Sequence, residues 1–169
     1  MVKLATICYI DNGEQFLMLH RNKQVGDIHQ DKWVSVGGKF EIGETPEQCA
    51  MREIREETGL EALNLELCGI ITFPDFRHDG EDWYSFVYRV REFRGELIDD
   101  CPEGTLKWVD YDQVMELPTW EGDYIFLRWV LEDAPFFSAY FEYDVTGQLV
   151  ANDVTFYPLK EGKSESEYV

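Results

Sequence analysis

Residues 52–59 read Arg-Glu-Ile-Arg-Glu-Glu-Thr-Gly, with Glu53, Glu56 and Glu57 crowded into five positions. On a helix, at about 100° per residue, these three carboxylates fall within an arc of roughly 100°. Ala50, Met51 and Ile54 occupy the adjoining arc and can face a core. Glu53 and Glu57 are four residues apart, a like-charge pair that costs a helix about 0.2–0.5 kcal/mol. They also sit late in the helix, where the macrodipole is already negative. Such crowding opposes the helix but suits Mg²⁺, which takes carboxylate, water and phosphate oxygens as ligands. Taken alone, the pattern reads first as a solvated acidic face.

The surrounding spacing changes that reading. Gly38, five residues, Glu44, seven residues, then Arg52-Glu53-Ile54-x-Glu56-Glu57-x-Gly59-Leu60 resembles the signature of the Nudix hydrolases at every defined position. At average residue frequencies such a match arises by chance on the order of once in a million chains. The resemblance implies a mixed central β-sheet with flanking helices and cleavage of a nucleoside diphosphate linked to another group. It implies that Glu53, Glu56 and Glu57 hold Mg²⁺ (Mn²⁺ being an alternative ion) together with the carbonyl of Gly37. Arg52 and Glu44 orient the cluster, and Glu53 or a neighbouring Glu such as Glu56 serves as the base. A further carboxylate before a strand Trp is expected in this family, which points to Glu103 ahead of Trp108.

Three other stretches resemble the branch that hydrolyses oxidised purine nucleoside triphosphates such as 8-oxo-dGTP. They are Asp31–Lys39, Leu117–Asp123 and Phe137–Phe141. That resemblance assigns Trp120 to stacking on a base, which contributes about 1–3 kcal/mol, and Asp123 to the base edge. Trp120 is alternatively a core residue at a helix start. Phe73 either borders the same pocket or packs in the core. Lys39, beside the glycines, is placed to contact phosphate; Arg21 and Lys23 are either phosphate contacts or solvated side chains. Two positions depart from the branch. Val34 stands where some relatives carry an Asn that reads the base, and Gly122 stands where some carry a first of two acids. Both changes remove a hydrogen-bonding group and weaken base discrimination. Hydrolases of ADP-ribose or dinucleoside polyphosphates, and a non-catalytic binding module, are the competing readings.

The elements that must position these residues are legible in outline. Thr45 caps a helix that Pro46 starts and Gly59 ends. Runs 4–10 and 16–20 flank Asp11-Asn12-Gly13, a hairpin signal. Residues 21–32 read as a loop and 33–36 as a short strand. Strands are expected at about 65–74, 82–93 and 105–109, helices at about 111–117 and 120–131, and a closing hairpin over 139–144 and 148–157. The expected class is α+β, an α/β/α sandwich over residues 1–160, followed by a polar, frayed tail at 161–169.

Composition bounds the partners. With 34 acidic and 15 basic residues in 169, the formal net charge is −19. Polynucleotides and anionic membrane surfaces are disfavoured, because both need Lys and Arg to replace counterions. A small anionic nucleotide stays compatible where a bound cation reverses the local field. No apolar run reaches the roughly 20 residues of a membrane span. The four cysteines lack a Cys-x-x-Cys pair and read as reduced thiols of a cytoplasmic protein.

Overall fold

The computed structural model describes residues 1–158, Ser166 and Tyr168. Its strands are β1 (Val2–Ile10), β2 (Gln15–His20), β3 (Trp33–Val34), β4 (Glu61–Phe73), β5 (Asp82–Arg94), β6 (Thr105–Asp110), β7 (Phe136–Tyr143) and β8 (Leu149–Tyr157). The helices are α1 (Pro46–Thr58), α2 (Tyr111–Val114) and α3 (Glu121–Leu131). A five-stranded mixed sheet has the order β1-β5-β4-β7-β8, with β1 parallel to β5 and β4 parallel to β7. A second, antiparallel sheet has the order β3-β2-β6.

The core follows the two-residue period of the strands. Tyr9 and Val87 pack with Phe126, Leu127 and Trp129 of α3. Their neighbours Cys8, Ile10, Tyr88 and Val90 pack instead with Ala50 and Ile54 of α1. The two helices thus cover opposite faces of one mixed sheet, the expected sandwich. All four cysteines are free thiols. No helix among the described residues is long and apolar enough to cross a membrane.

Four expectations need correction. The turn at Asp11-Asn12-Gly13 forms, with the Asp11 carboxylate accepting from the Gly13 N–H at 2.8 Å, but β1 and β2 are not a paired hairpin. Only an isolated bridge joins Asp11 to Phe16, and the strands then part into different sheets. Parallel pairing to β5 occupies β1 from Val2 to Ile10, so β2 turns to β3 and β6. The expected 111–117 helix shrinks to one turn, Tyr111–Val114. The 65–74 strand begins earlier, at Glu61, and pairs with β5 through three register shifts. Of the 161–169 tail only Ser166 and Tyr168 lie within the described residues. Tyr168 is buried rather than frayed, its carbonyl accepting from Trp129 Nε1 at 2.6 Å.

Candidate active site

The acidic end of the site depends on where α1 begins. Thr45 Oγ1 accepts from the Gln48 N–H, and the Gln48 side chain accepts in return from the Thr45 N–H, a reciprocal cap that sets the phase of the helix. Gly59, at φ 79°, ends it in the left-handed region. Within those limits Glu53 and Glu57 reach the segment 36–40, which is laid along β1, while Glu56 meets Arg52. The Cys8, Thr6 and Phe40 N–H groups donate to Val36, Gly38 and Leu4 carbonyls at 2.7, 2.9 and 3.0 Å. Between the first two acceptors, the Gly37 carbonyl takes no backbone hydrogen bond among the described residues.

Two glycines let this segment come so close. A Cβ on Gly37 would sit 2.1 Å from the Thr6 carbonyl oxygen, and one on Gly38 would sit 2.6 Å from the Glu53 carboxylate. Both are far inside van der Waals contact. Gly37 N–H donates to Glu57 Oε1 at 3.2 Å, so helix and loop are tied at this point.

Arg52 organises the carboxylates. Its Nε and Nη2 form a fork on Glu44 at 2.5 and 2.9 Å, and Nη1 donates to Glu53 at 2.8 Å and Glu56 at 3.3 Å. The fork holds the Glu44 carboxyl down to about 2. Glu57 is in the opposite situation. It is 5% exposed, and its Oε2 is buried without a hydrogen-bond partner among the described residues. Burial, then the nearby charges of Glu103 and Glu53, push its carboxyl well above the ordinary range. Glu103 is also raised, by burial first, against the opposing pull of Arg21.

As the side chains stand, the counter-charge is the Arg52 guanidinium, and no three acidic, His or Cys groups among the described residues converge on one point. The donor set still fits a divalent cation. The orphaned oxygen and raised carboxyl of Glu57 lack the positive charge such an ion supplies, Glu103 is raised despite its pair with Arg21, and all the donors are hard oxygens. Glu53, Glu56, Glu57, Glu103 and the Gly37 carbonyl are the groups that would hold it.

A cleft of about 550 Å³ runs from this end past Gly37, Gly38, Lys39 and Glu103 to an aromatic end. There Phe73, Phe76, Trp83, Trp120 and Tyr143 line it together with His29 and Asp123. Trp120 caps the start of α3 and is 8% exposed. Its ring is held edge-on by Phe76 at 5.0 Å and Tyr143 at 5.2 Å, with Lys32 Nζ 4.4 Å from the centroid. It is therefore both a core residue and a cleft wall. Asp123, in the first turn of α3, accepts from Thr119 Oγ1 at 3.4 Å, and burial pushes its carboxyl up to about 7. Phe73 likewise combines the two roles expected as alternatives, packing on Phe76 and Phe141 while lining the cleft.

The three basic candidates separate. Lys39 lines the cleft beside the glycines. Arg21 lines it too, but is committed to carboxylates: Nε donates to Asp27 at 2.7 Å and Nη1 pairs with Glu103 at 3.0 Å. Lys23 is not brought to the cleft, because its ammonium is taken by Asp100 at 2.5 Å and by the Cys101 carbonyl at 2.8 Å. His29, Phe76, Trp83 and Tyr143 are cleft residues that the linear pattern does not single out. His29 lies in a polar loop and Phe76 in a turn, where no periodicity marks them.

Comparison with known proteins places this geometry among relatives. The family model for the NUDIX domain matches residues 1–130. The chain is 31% identical to an uncharacterized Nudix hydrolase, YvcI, of Bacillus subtilis, over 70% of this chain and 73% of that protein. It is 32% identical to an oxidized purine nucleoside triphosphate hydrolase of Danio rerio, over 83% and 86% of the two chains. The crystal structure of a MutT protein from Bacillus halodurans superposes with a TM-score of 0.79 at 30% identity, over 90% of this chain and 97% of that one.

Proposed function

The chain belongs to the Nudix family, a family of hydrolases, and on that premise we propose that it is a Mg²⁺-dependent nucleoside triphosphate pyrophosphohydrolase. Its substrates are oxidised purine nucleotides of the 8-oxo-dGTP kind, its products the monophosphate and pyrophosphate, and its role nucleotide-pool sanitation. The observation that carries this reading is the single cleft with a carboxylate end and an aromatic end. A purine triphosphate has the matching polarity, a flat base at one end and a polyanion at the other.

Bound Mg²⁺ would neutralise the phosphate oxygens and lower the barrier to attack by water. The chain's own residues do the rest. Glu53 accepts the proton of the attacking water, oriented by Arg52 Nη1 while the fork of the same guanidinium fixes Glu44. Lys39 neutralises part of the phosphate charge at the glycine segment, and Arg21 holds Glu103 in place. At the other end Phe73, Phe76 and Trp120 exclude water from the base. Asp123, titrating near neutrality, can present either a donor or an acceptor to the base edge. The similarity to a purine triphosphate hydrolase across most of both chains supports the same substrate class.

The test is turnover of a panel with Mg²⁺: 8-oxo-dGTP, dGTP, dATP, ADP-ribose and a dinucleoside polyphosphate. The proposal expects 8-oxo-dGTP to have the highest kcat/KM. A clear preference for ADP-ribose, with 8-oxo-dGTP no better than dGTP, contradicts it. Absence of turnover on every nucleotide would leave a binding module.

A further inference from the structure

Trp120 and His29 meet at the aromatic end of the cleft, and their contact determines the chemistry of the imidazole. Trp120 Nε1 lies 2.8 Å from His29 Nδ1. An indole N–H can only donate, so Nδ1 must present its lone pair; a neutral ring with a bare Nδ1 carries its one proton on Nε2. The hydrogen bond thus selects both the neutral form and its tautomer. The ring is also held in place. Phe76 stacks on it at 6.0 Å and 23°, and Trp120 meets it edge-on at 5.8 Å and 87°.

The electrostatic surroundings act in the same direction. Burial, with the cations of Arg21, Arg77 and Lys32, depresses His29 to about 4 against the weaker opposing charge of Asp27. His29 is therefore uncharged throughout the neutral range. The loop that carries it is anchored, since the His29 N–H donates to Asp27 Oδ1 at 3.1 Å and Asp27 is fixed by Arg21. Among the described residues no acceptor binds Nε2, although the ring lines the cleft. Val34 lines the cleft with an apolar side chain, and Gly122, packed under Tyr143 and Phe141, adds no polar one.

We propose that His29 is a specificity-determining residue that reads the substrate base, its Nε2–H donating to an oxo oxygen on the purine edge. This assignment rests on the reading of the cleft as a purine triphosphate site. A guanine-type base offers a carbonyl oxygen at the position where an adenine-type base carries an amino group. A rigid donor facing that position favours keto purines, because an amino group opposite it leaves two N–H groups facing each other with neither bonded. His29 therefore compensates for the missing polar groups at positions 34 and 122.

The two nitrogens can be separated by substitution. His29→Asn places an amide oxygen near the Nδ1 position, keeping an acceptor for Trp120 while removing the distal donor. His29→Gln extends an amide N–H to the Nε2 position. With Mg²⁺, the ratio of kcat/KM for 8-oxo-dGTP to that for dATP should fall roughly ten- to a hundredfold in His29→Asn, mainly through KM for the keto substrate. His29→Gln should restore most of the ratio. An unchanged ratio in His29→Asn, with the wild type active on purine triphosphates, overturns the assignment of His29 alone. A wild type inactive on every purine triphosphate overturns the underlying reading, and this inference with it. Independently of any variant, ¹⁵N NMR of the wild type should show His29 as the Nε2–H tautomer, with that proton shifting when 8-oxo-dGMP binds. An Nδ1–H tautomer, or a signal unmoved at saturation, refutes the role.

Discussion

Replacing Gly38 by Ala displaces the carboxylate of Glu53, the proposed base. The added Cβ would meet the Glu53 Cδ and both carboxylate oxygens at 2.6–2.7 Å. Ordinary contact begins near 3.4 Å, so the carboxylate must withdraw by about 0.8 Å. It can do so, because it is the far end of a flexible side chain, and Gly38 does not have the positive φ of its neighbour. Stability should therefore change by no more than about 1 kcal/mol. Turnover should respond far more, since a misplacement of about 1 Å at a reacting group can cost on the order of a hundredfold. The assay is Mg²⁺-dependent kcat/KM on 8-oxo-dGTP beside a thermal unfolding curve. A variant that keeps both its midpoint and more than a third of its turnover would refute the placement of Glu53 in the reaction. Gly37→Ala is the contrasting control. There the Cβ meets the backbone of β1, 2.1 Å from the Thr6 oxygen and at φ 137°, so the segment itself has to move and about 3 kcal/mol or more of stability is lost.

Further expectations follow from named contacts. Asp11 and Arg89 form a buried pair at 2.6 Å, with Tyr111 Oη also donating to Asp11 and Arg89 donating to the Val130 carbonyl. Removing either charged partner should cost about 3–5 kcal/mol in chemical denaturation, and the double substitution to apolar residues should cost less than the sum. Asp123 has a folded value near 7 against 3.8 for an exposed Asp, so the native state binds the extra proton. Its contribution to stability is present below about pH 4 and is lost as pH rises toward 7; Asp123→Asn should flatten that part of a stability–pH curve, and an unchanged slope would contradict the burial of this carboxyl. Arg21→Met removes the cation that opposes the rise of Glu103. It should increase the Mg²⁺ concentration for half-maximal turnover several-fold in a Mg²⁺ titration of activity, and an unchanged concentration would contradict a role for Glu103 at the metal.

How far the linear pattern reaches is seen in particular elements. Helix α1 is legible at both ends because its signals are local: Thr45 and Gln48 cap one another, and Gly59 takes the left-handed conformation. The carboxylate group follows from the phase of that helix. The β1–β2 relation is misread because the turn is local while the partners are not; β1 finds β5 some 80 residues away, and parallel pairing leaves no turn between the strands. Among the basic residues, Arg21 and Lys23 are two positions apart in one polar loop, and only the fold sends one to Glu103 and the other to Asp100. His29 is the strongest case. A histidine in a polar loop signals nothing until the chain brings Trp120, 91 positions later, against its Nδ1.

The central claim is that both ends of one cleft act on one purine triphosphate. It is tested most directly by following 8-oxo-dGTP with the wild-type protein and Mg²⁺ by ³¹P NMR, beside Glu57→Gln. The account predicts conversion to the monophosphate with stoichiometric pyrophosphate in the wild type, and turnover lower by orders of magnitude in a Glu57→Gln protein that remains folded. Release of orthophosphate, no conversion at all, or full activity in Glu57→Gln would contradict it.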